Sequence, residues 1–381
     1  MTVRLLVEAM AHGGRAVAHH EGQVVFIEGA YPGESVHVEI TGGGKRHLFA
    51  RVTSVEEPSP ARVQPPCIHF GSCGGCQWQS AQYGAQLEWK RAIVSDQLAH
   101  LGGMPDAEVR NTIAPGPPYG YRNRMDFKLV RGRPALSRAA SHELVSIHKC
   151  HLMVPPLEAL FHALPTRPGA SRVTIRAGAA TGQTLAMYDE ETGVIEEVVA
   201  GCTFRITGRA FFQNNTAGAE ALVGLVREVL EPQPTDVLVD GYAGGGLFAA
   251  TVGPACQRVI GVESDRITAA DFEQNVGVRA LRKKFESAAS LLPKAFDLAV
   301  VDPPRSGLGR EGVGVLAGGR PRRIAYVSCD PASFARDARL LGDQGYGLEW
   351  VQPVDMFPQT FHVEIVGCFE AGRQEGALDP Y

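Results

Sequence analysis

Apolar and polar positions alternate in short runs through residues 1–55, as in VVFIEGAYPGESVHVEI and HLFARVTSV, with glycine turns such as TGGGK between them. Short strands broken by turn signals predict a small β-barrel. The proline-rich stretch EEPSPARVQPP ends that pattern and predicts a link to a second domain. Residues 56–205 are mixed, with a helical stretch (AQYGAQLEWKRAIVSDQLAHL) followed by several strand-like runs. By about residue 211 the pattern becomes regular. TAGAEALVGLVREVL puts Ala221, Leu222, Leu225, Val226, Val229 and Leu230 on one helical face. The apolar runs DVLVD, RVIGVE, DLAVVD, RIAYVS and EIVGCF then alternate with helical or loop segments, predicting a mostly parallel, doubly wound sheet. Domains at 1–55, 56–205 and 206–381 are therefore expected, with a frayed tail in EAGRQEGALDPY.

A chain of 381 residues with 44% hydrophobic and 20% charged positions has enough apolar material for several cores. Its first residues, MTVRLLVEAMAHGG, lack the layout of a signal peptide, and no run approaches the ~18 apolar residues of a membrane helix. The expectation is a cytoplasmic monomer without membrane contact. A net charge of −4 gives no general attraction to nucleic acid, so any such contact must rest on local patches.

DVLVDGYAGGGLFAA reads as a strand, a glycine turn and a helix start, the place where a ligand approaches the backbone of a doubly wound sheet. Glu263 ends the next strand, at roughly the 20-residue separation that suits an acid on ribose hydroxyls. A purely structural turn is the alternative. VVDPPRSGLG closes the following strand with Asp302 and two prolines, either a rigid loop at the binding edge or a simple strand terminator. RIAYVS then runs into Cys329. In a parallel sheet Asp240, Glu263, Asp302 and Cys329 emerge at one edge. A lone cysteine there is more readily an inert buried thiol, the reading given to Cys202, Cys256 and Cys368.

Taken in order, FFQNN, DGYAGGG, GVE, DPPRSGLG, VSCDP and DMFPQTFHVE resemble the signatures of the S-adenosylmethionine-dependent RNA uridine-5-methyltransferases, which act on 23S ribosomal RNA or the thymine loop of tRNA. The resemblance covers essentially the whole chain. It implies a class I, Rossmann-like α/β methyltransferase domain, an N-terminal OB-like TRAM β-barrel that binds RNA, and an α+β central domain carrying an iron–sulfur cluster. It also implies that Cys329 is the nucleophile, that Glu364 is the general base, and that Gln213, Tyr242, Glu263 and Asp302 hold S-adenosylmethionine. Gly241-Tyr242-Ala243 departs from the family's usual Leu-Tyr-Cys. FESAASLLP lacks the acid expected beside the adenine, so adenine contacts stay unassigned. Cytosine-5 methylation fits less well, because Arg305 stands where those enzymes carry a second cysteine. Asp355 and His362 are read as structural.

Cys67, Cys73 and Cys76, with Cys150 far downstream, have the residue types of either an iron–sulfur or a structural zinc site. The resemblance selects a 4Fe-4S cluster that staples the domain. YRNRMDFKLVRGR puts Arg122, Arg124, Asp126 and Lys128 on one strand face, either a phosphate-binding surface or a solvated face with internal salt bridges. Arg305 is read as touching RNA or holding its own loop, and the run Arg279, Arg282, Lys283 and Lys284 as a solvated helix end. An RNA substrate is the expected partner, with 23S ribosomal RNA favoured over tRNA because the barrel and the four cysteines occur together.

Overall fold

The computed structural model of the chain describes residues 2–139 and 141–372. Of the tail expected to fray, Glu370 and Ala371 end a strand, and the residues from Arg373 on lie outside the described residues. The chain divides into two compact units. One is built from residues up to 94, 111–191 and 355–363; the other is built from 95–110, 192–354 and the residues from 364 on.

In the first unit the predicted short strands form as β1 (Thr2–Leu6), β2 (Ala9–Met10), β3 (Ala16–His20), β4 (Gln23–Glu28), β5 (Ser35–Gly43) and β6 (His47–Glu57). They make one six-stranded sheet in the order β1-β5-β6-β4-β3-β2, antiparallel throughout except where β4 runs parallel to β6. The period-2 pattern turns Ala16, Ala18, Val25, Ile27, Val36 and Val38 into a fully buried core. Glu34 is buried beside that core, and its carboxylate accepts from the Tyr31 and Ser59 amides and from the Arg62 guanidinium, so the proline-rich link is fastened to the sheet.

Helix α1 (Tyr83–Gln97) follows, then β7 (Arg124–Val130), β8 (Arg133–Ser137), β9 (Leu144–Ser146), helix α2 (Pro155–His162), β10 (Arg172–Ala177) and β11 (Thr184–Tyr188). The strands form an antiparallel sheet in the order β11-β10-β7-β8-β9. Leu157 and Phe161 of α2 join Met125, Phe127, Val173 and Ile175 in its core. The alternation read from YRNRMDFKLV holds in burial: Tyr121, Asn123, Met125 and Phe127 are buried and Leu129 half-buried, while Arg122 and Arg124 are half-buried and Asp126 and Lys128 exposed. Asp355, read as structural, makes a fully buried ion pair of 2.6 Å with Lys90 of α1.

The second unit begins with the hairpin β12 (Val194–Val199) and β13 (Cys202–Thr207), and continues through α3 (Thr216–Leu230), β14 (Val237–Gly241), α4 (Leu247–Val252), β15 (Arg258–Val262), α5 (Arg266–Val276), β16 (Leu298–Val301), α6 (Gly309–Gly319), β17 (Arg323–Ser328), α7 (Pro331–Gly342), β18 (Tyr346–Val354) and β19 (Glu364–Ala371). The predicted face of α3 is buried at Leu222, Leu225, Val226, Val229 and Leu230, with Val223 buried beside them and Ala221 half-exposed.

The central sheet has the order β15-β14-β16-β17-β19-β18. β14 to β17 are parallel, as expected. The EIVGCF strand, β19, is not: it lies antiparallel between β17 and β18. β18 was not foreseen, because its glutamate, glutamine and proline break an apolar run. Pro353 is tolerated there because β18 is an edge strand.

Candidate active site

The second unit opens a cleft of about 950 Å³ at the carboxyl ends of the parallel strands, the edge where doubly wound sheets take ligands. Its wall includes Gln213, Tyr242, Glu263, Asp302, Cys329 and Glu364, so the structure gathers all six of the cofactor and catalytic residues singled out from the sequence.

The floor is made by the turn after β14. Asp240 is buried, and its carboxylate accepts from the Ala249 amide at 2.9 Å, tying the turn to α4. Gly246 has a φ of +87°, and a Cβ there would meet Val276 at 2.6 Å, so only glycine fits. The Glu263 carboxylate accepts from the Gly244 amide at 2.9 Å and from the Asp265 amide at 2.6 Å, bracing the glycine turn from the end of the neighbouring strand. Tyr242 packs on Phe285, and its hydroxyl donates to Glu286 at 2.6 Å. Glu286 lies within FESAAS and lines the cleft. Read from the sequence, FESAASLLP offers no acid beside the adenine, because a single 3₁₀ turn has no periodicity to place Glu286 at the cleft.

The DPPRSGLG loop is held from α7. The Leu308 and Gly309 amides donate to Asp337 at 2.6 and 3.2 Å, and Arg336 donates to the Ser306 carbonyl at 2.6 Å. Arg305 therefore does not hold its loop. It is exposed on the cleft wall and makes no hydrogen bond or ion pair among the described residues. Lys283 and Lys284, read as a helix end, also line the cleft, because α5 has already stopped at Val276.

Cys329 follows the last residue of β17, and Asp330 caps α7 by accepting from the Ser333 amide at 2.8 Å. Pro331 takes the first helical position, where its missing N–H costs nothing. The strand–cap–helix junction thus presents the half-buried thiol at the sheet edge. Because β19 is antiparallel, its first residue lies where its parallel neighbours end. Ser328 pairs with Ile365, so Cys329 and Glu364 are the next residues along the two strands at this edge, both on the cleft wall, and the Glu364 charge acts on the Cys329 thiol.

The site is acidic. Burial, then the charges of Asp302 and Glu263, push Asp240 up to about 8, and burial pushes Asp302 up to about 7. Burial and the charge of Asp302 drive Glu364 well above the carboxylate range, against a lowering influence from Arg305. Burial and the charges of Glu364, Asp302 and Asp330 push the Cys329 thiol up to about 12, again opposed by Arg305. A buried cluster of carboxyls is unfavourable for an anion and favourable for a cation.

Cys67, Cys73, Cys76 and Cys150 line one cavity of about 290 Å³ in the first unit, all as free thiols. Gly74 donates to the Ser137 carbonyl at 2.9 Å, and a Cβ on it would lie 2.8 Å from the Ala139 nitrogen, which explains the first glycine between the paired cysteines. Burial raises the Cys73, Cys76 and Cys150 thiols, with Cys76 at about 12, and Arg122 lowers Cys150. Among the described residues no group of three or more His, Cys, Asp or Glu is gathered tightly enough for a single ion. A zinc site would need its thiolates about 3.8 Å apart, given Zn–S bonds of about 2.3 Å in a tetrahedron.

Arg122 lines this cavity rather than an open face, and its Nε donates to the Arg124 carbonyl at 3.1 Å. Arg124 pairs with Asp126 at 3.1 Å, and Lys128 is exposed. Of the three thiols read as inert and buried, only Cys368 is buried; Cys202 and Cys256 are half-exposed.

The second unit thus has the sheet and binding edge of a class I methyltransferase. Over 96% of this chain and 99% of its own, the structure of Pyrococcus abyssi tRNA (uracil-54, C5)-methyltransferase in complex with S-adenosyl-L-homocysteine shares the fold, with a TM-score of 0.75 at 22% identity. Residues 1–53 match the TRAM domain. An uncharacterised RNA methyltransferase of Gloeobacter violaceus is 32% identical over 97% of this chain and 96% of its own, and one of Streptomyces coelicolor is 32% identical over 96% and 92%. The chain belongs to this family of RNA methyltransferases. Among the described residues no helix is long and apolar enough to cross a membrane.

Proposed function

We propose that the protein methylates C5 of a uridine in RNA, with S-adenosylmethionine as donor. The observation that carries this reading is the meeting of Cys329 and Glu364 at the end of the β17–β19 pair, within the acidic cleft. Uracil C5 is a weak nucleophile. The Cys329 thiolate adds to C6, forming a carbon–sulfur bond and moving the ring electrons onto the C4 oxygen as an enolate, which makes C5 nucleophilic. When bound, the donor would supply an electrophilic methyl group on a positively charged sulfur, and as C5 bonds to that methyl the methyl–sulfur bond breaks and the sulfur leaves as a neutral thioether. Glu364, as carboxylate, then takes the C5 proton. The C–H electrons restore the C5–C6 double bond, and the carbon–sulfur bond breaks to return Cys329 as a thiolate.

The residues fit such a donor. Glu263, Glu286 and Asp302 line the cleft with carboxyl groups suited to a sulfonium, and a diphosphate would meet repulsion there. Gln213, Tyr242, Glu263 and Asp302 are the residues that hold it. A single cysteine at this edge, with Arg305 in the Asp302 loop, favours uracil over cytosine.

Cys67, Cys73, Cys76 and Cys150 hold a 4Fe-4S cluster that staples the central domain, since methyl transfer moves no electrons. Lys128 and Arg305 are exposed and suited to RNA phosphates, whereas Arg122 balances the thiolate charge and Arg124 is engaged by Asp126. The co-occurrence of barrel and cysteines favours 23S ribosomal RNA, and the likeness to a tRNA enzyme's fold supports tRNA as the second reading. Incubation with labelled donor and each RNA, followed by nucleoside mass spectrometry, tests both. Finding no 5-methyluridine with the cleft able to bind donor would refute the enzyme reading and leave a non-catalytic RNA-binding protein.

A further inference from the structure

The barrel sheet has an outer face as well as a core, and that face carries aromatic rings the core does not use. In the parallel pair β4–β6, Phe26 is the register partner of Phe49 and Val24 of His47. Val25, Ile27 and Ala50 point inward and are buried, so Phe26 and Phe49 point outward by strand alternation. Neither ring forms or packs against the barrel's core. The two rings lie 5.9 Å apart at 30°. His47 meets both edge-on, at 5.8 and 5.1 Å, and the Arg15 guanidinium sits 4.9 Å from the Phe49 centroid.

Exposed cations border the rings. Lys45 and Arg46 stand at the hairpin tip before β6, and Gln23 fixes that tip by donating to the Gly44 and Lys45 carbonyls at 3.1 and 3.0 Å. Arg15, Lys45 and Arg46 make no ion pair among the described residues, whereas Arg51 further along β6 faces Glu39 at 3.6 Å. Aromatic rings interleaved with unpaired cations offer base faces and phosphates what each needs, and sheet faces of small barrels are suited to single strands.

We infer that Phe26, His47, Phe49 and Arg15 form a stacking platform for unpaired bases of the RNA. This rests on the RNA-methyltransferase reading for its ligand but not on the chemistry at Cys329. The rings stack bases, and Arg15, Lys45 and Arg46 hold the adjoining phosphates. The uridine presented to the cleft would then come from a strand that is unpaired over more than the target nucleotide.

The test is fluorescence anisotropy of the full chain with a short labelled single-stranded RNA and with a duplex of the same length. Phe26→Ala and Phe49→Ala should each weaken single-strand binding about tenfold and leave duplex binding unchanged. Phe49→Trp should keep wild-type affinity, which also shows that the position tolerates change without unfolding. Wild-type affinity in the Phe26→Ala/Phe49→Ala double variant would overturn the platform. So would recovery by Phe49→Leu, which would mean apolar packing only, or an equal loss on duplex, which would mean phosphate contact only. Because this assay needs no turnover, a failed platform and a failed methyltransferase reading give different results.

Discussion

Cys329 and Glu364 reach the same sheet edge because Ser328 and Ile365 are register partners where β19 runs antiparallel to β17. One residue follows the end of its strand and the other begins its own, so two residues far apart in the chain meet at the cleft. Cys329→Ala should abolish both 5-methyluridine and any covalent RNA adduct. Glu364→Gln should slow turnover by about 10²–10⁴-fold and let a methylated adduct accumulate, since C5 deprotonation is blocked. Denaturing gels and mass spectrometry of the trapped species read both outcomes. Substantial turnover by Cys329→Ala would refute the assignment.

The thiol's environment gives a pH signature. With Cys329 pushed up to about 12, about one thiol in 10⁴ is ionised at pH 8. Alkylation of Cys329 by iodoacetamide should therefore be slow, rising about tenfold per pH unit through the range 8–10. Asp302→Asn should speed it by removing a neighbouring negative charge, and Arg305→Ala should slow it by removing the opposing cation. Peptide mass spectrometry at each pH gives the rates, and a fast, pH-independent reaction would contradict the geometry.

Asp240 at about 8 and Asp302 at about 7 both lie above the ordinary carboxylate value of about 3.9. The folded protein therefore keeps protons that the unfolded chain has released. The stability these groups contribute is present below pH 4 and is lost as pH rises through 7 and 8. The thermal midpoint of the ligand-free protein should carry this decline, and Asp302→Asn should flatten it. A cationic ligand in the cleft should offset it too, most strongly at the alkaline end. An unchanged slope in Asp302→Asn would show that this carboxyl titrates normally.

At the cysteine cavity, anaerobically purified protein should contain about four irons and four sulfides. Cys150→Ala should lose them. Gly74→Ala should lose much of the iron too, because its new Cβ collides with backbone at Ala139. Zinc in place of iron would refute the cluster.

The buried Lys90–Asp355 pair yields a stability test. Lys90→Met leaves Asp355 buried without its partner and should cost roughly 3–5 kcal/mol. Adding Asp355→Leu should recover most of that loss. Denaturant midpoints of the single and double variants measure it.

Much of this was legible in the chain, for identifiable reasons. The parallel strands announce themselves as apolar runs, and the residues that end them reach one edge whatever the details of packing. The direction of β19 was not legible, since a strand's own pattern is the same read either way, and β18 was hidden by its polar positions. Asp126 as a partner for Arg124 followed from alternation, but the placement of Arg122 on the thiol cavity did not, because it depends on loops brought from elsewhere. Phe26 and Phe49 each looked like ordinary strand residues. Only the pairing of β4 with β6 makes them neighbours.

The second unit is threaded from three separate stretches of chain, and residues 355–363, between β18 and β19, are counted with the first unit. A single cut in the gene therefore cannot liberate the half that carries Cys329 and Glu364. Trimming from the amino end leaves residues 111–191 and 355–363 of the other unit behind, and trimming from the carboxyl end removes Glu364 first. Recombination would have to exchange the chain as a whole, and an attempt to transplant the catalytic half onto another RNA-binding partner would need two internal joins, one of them next to Glu364 itself.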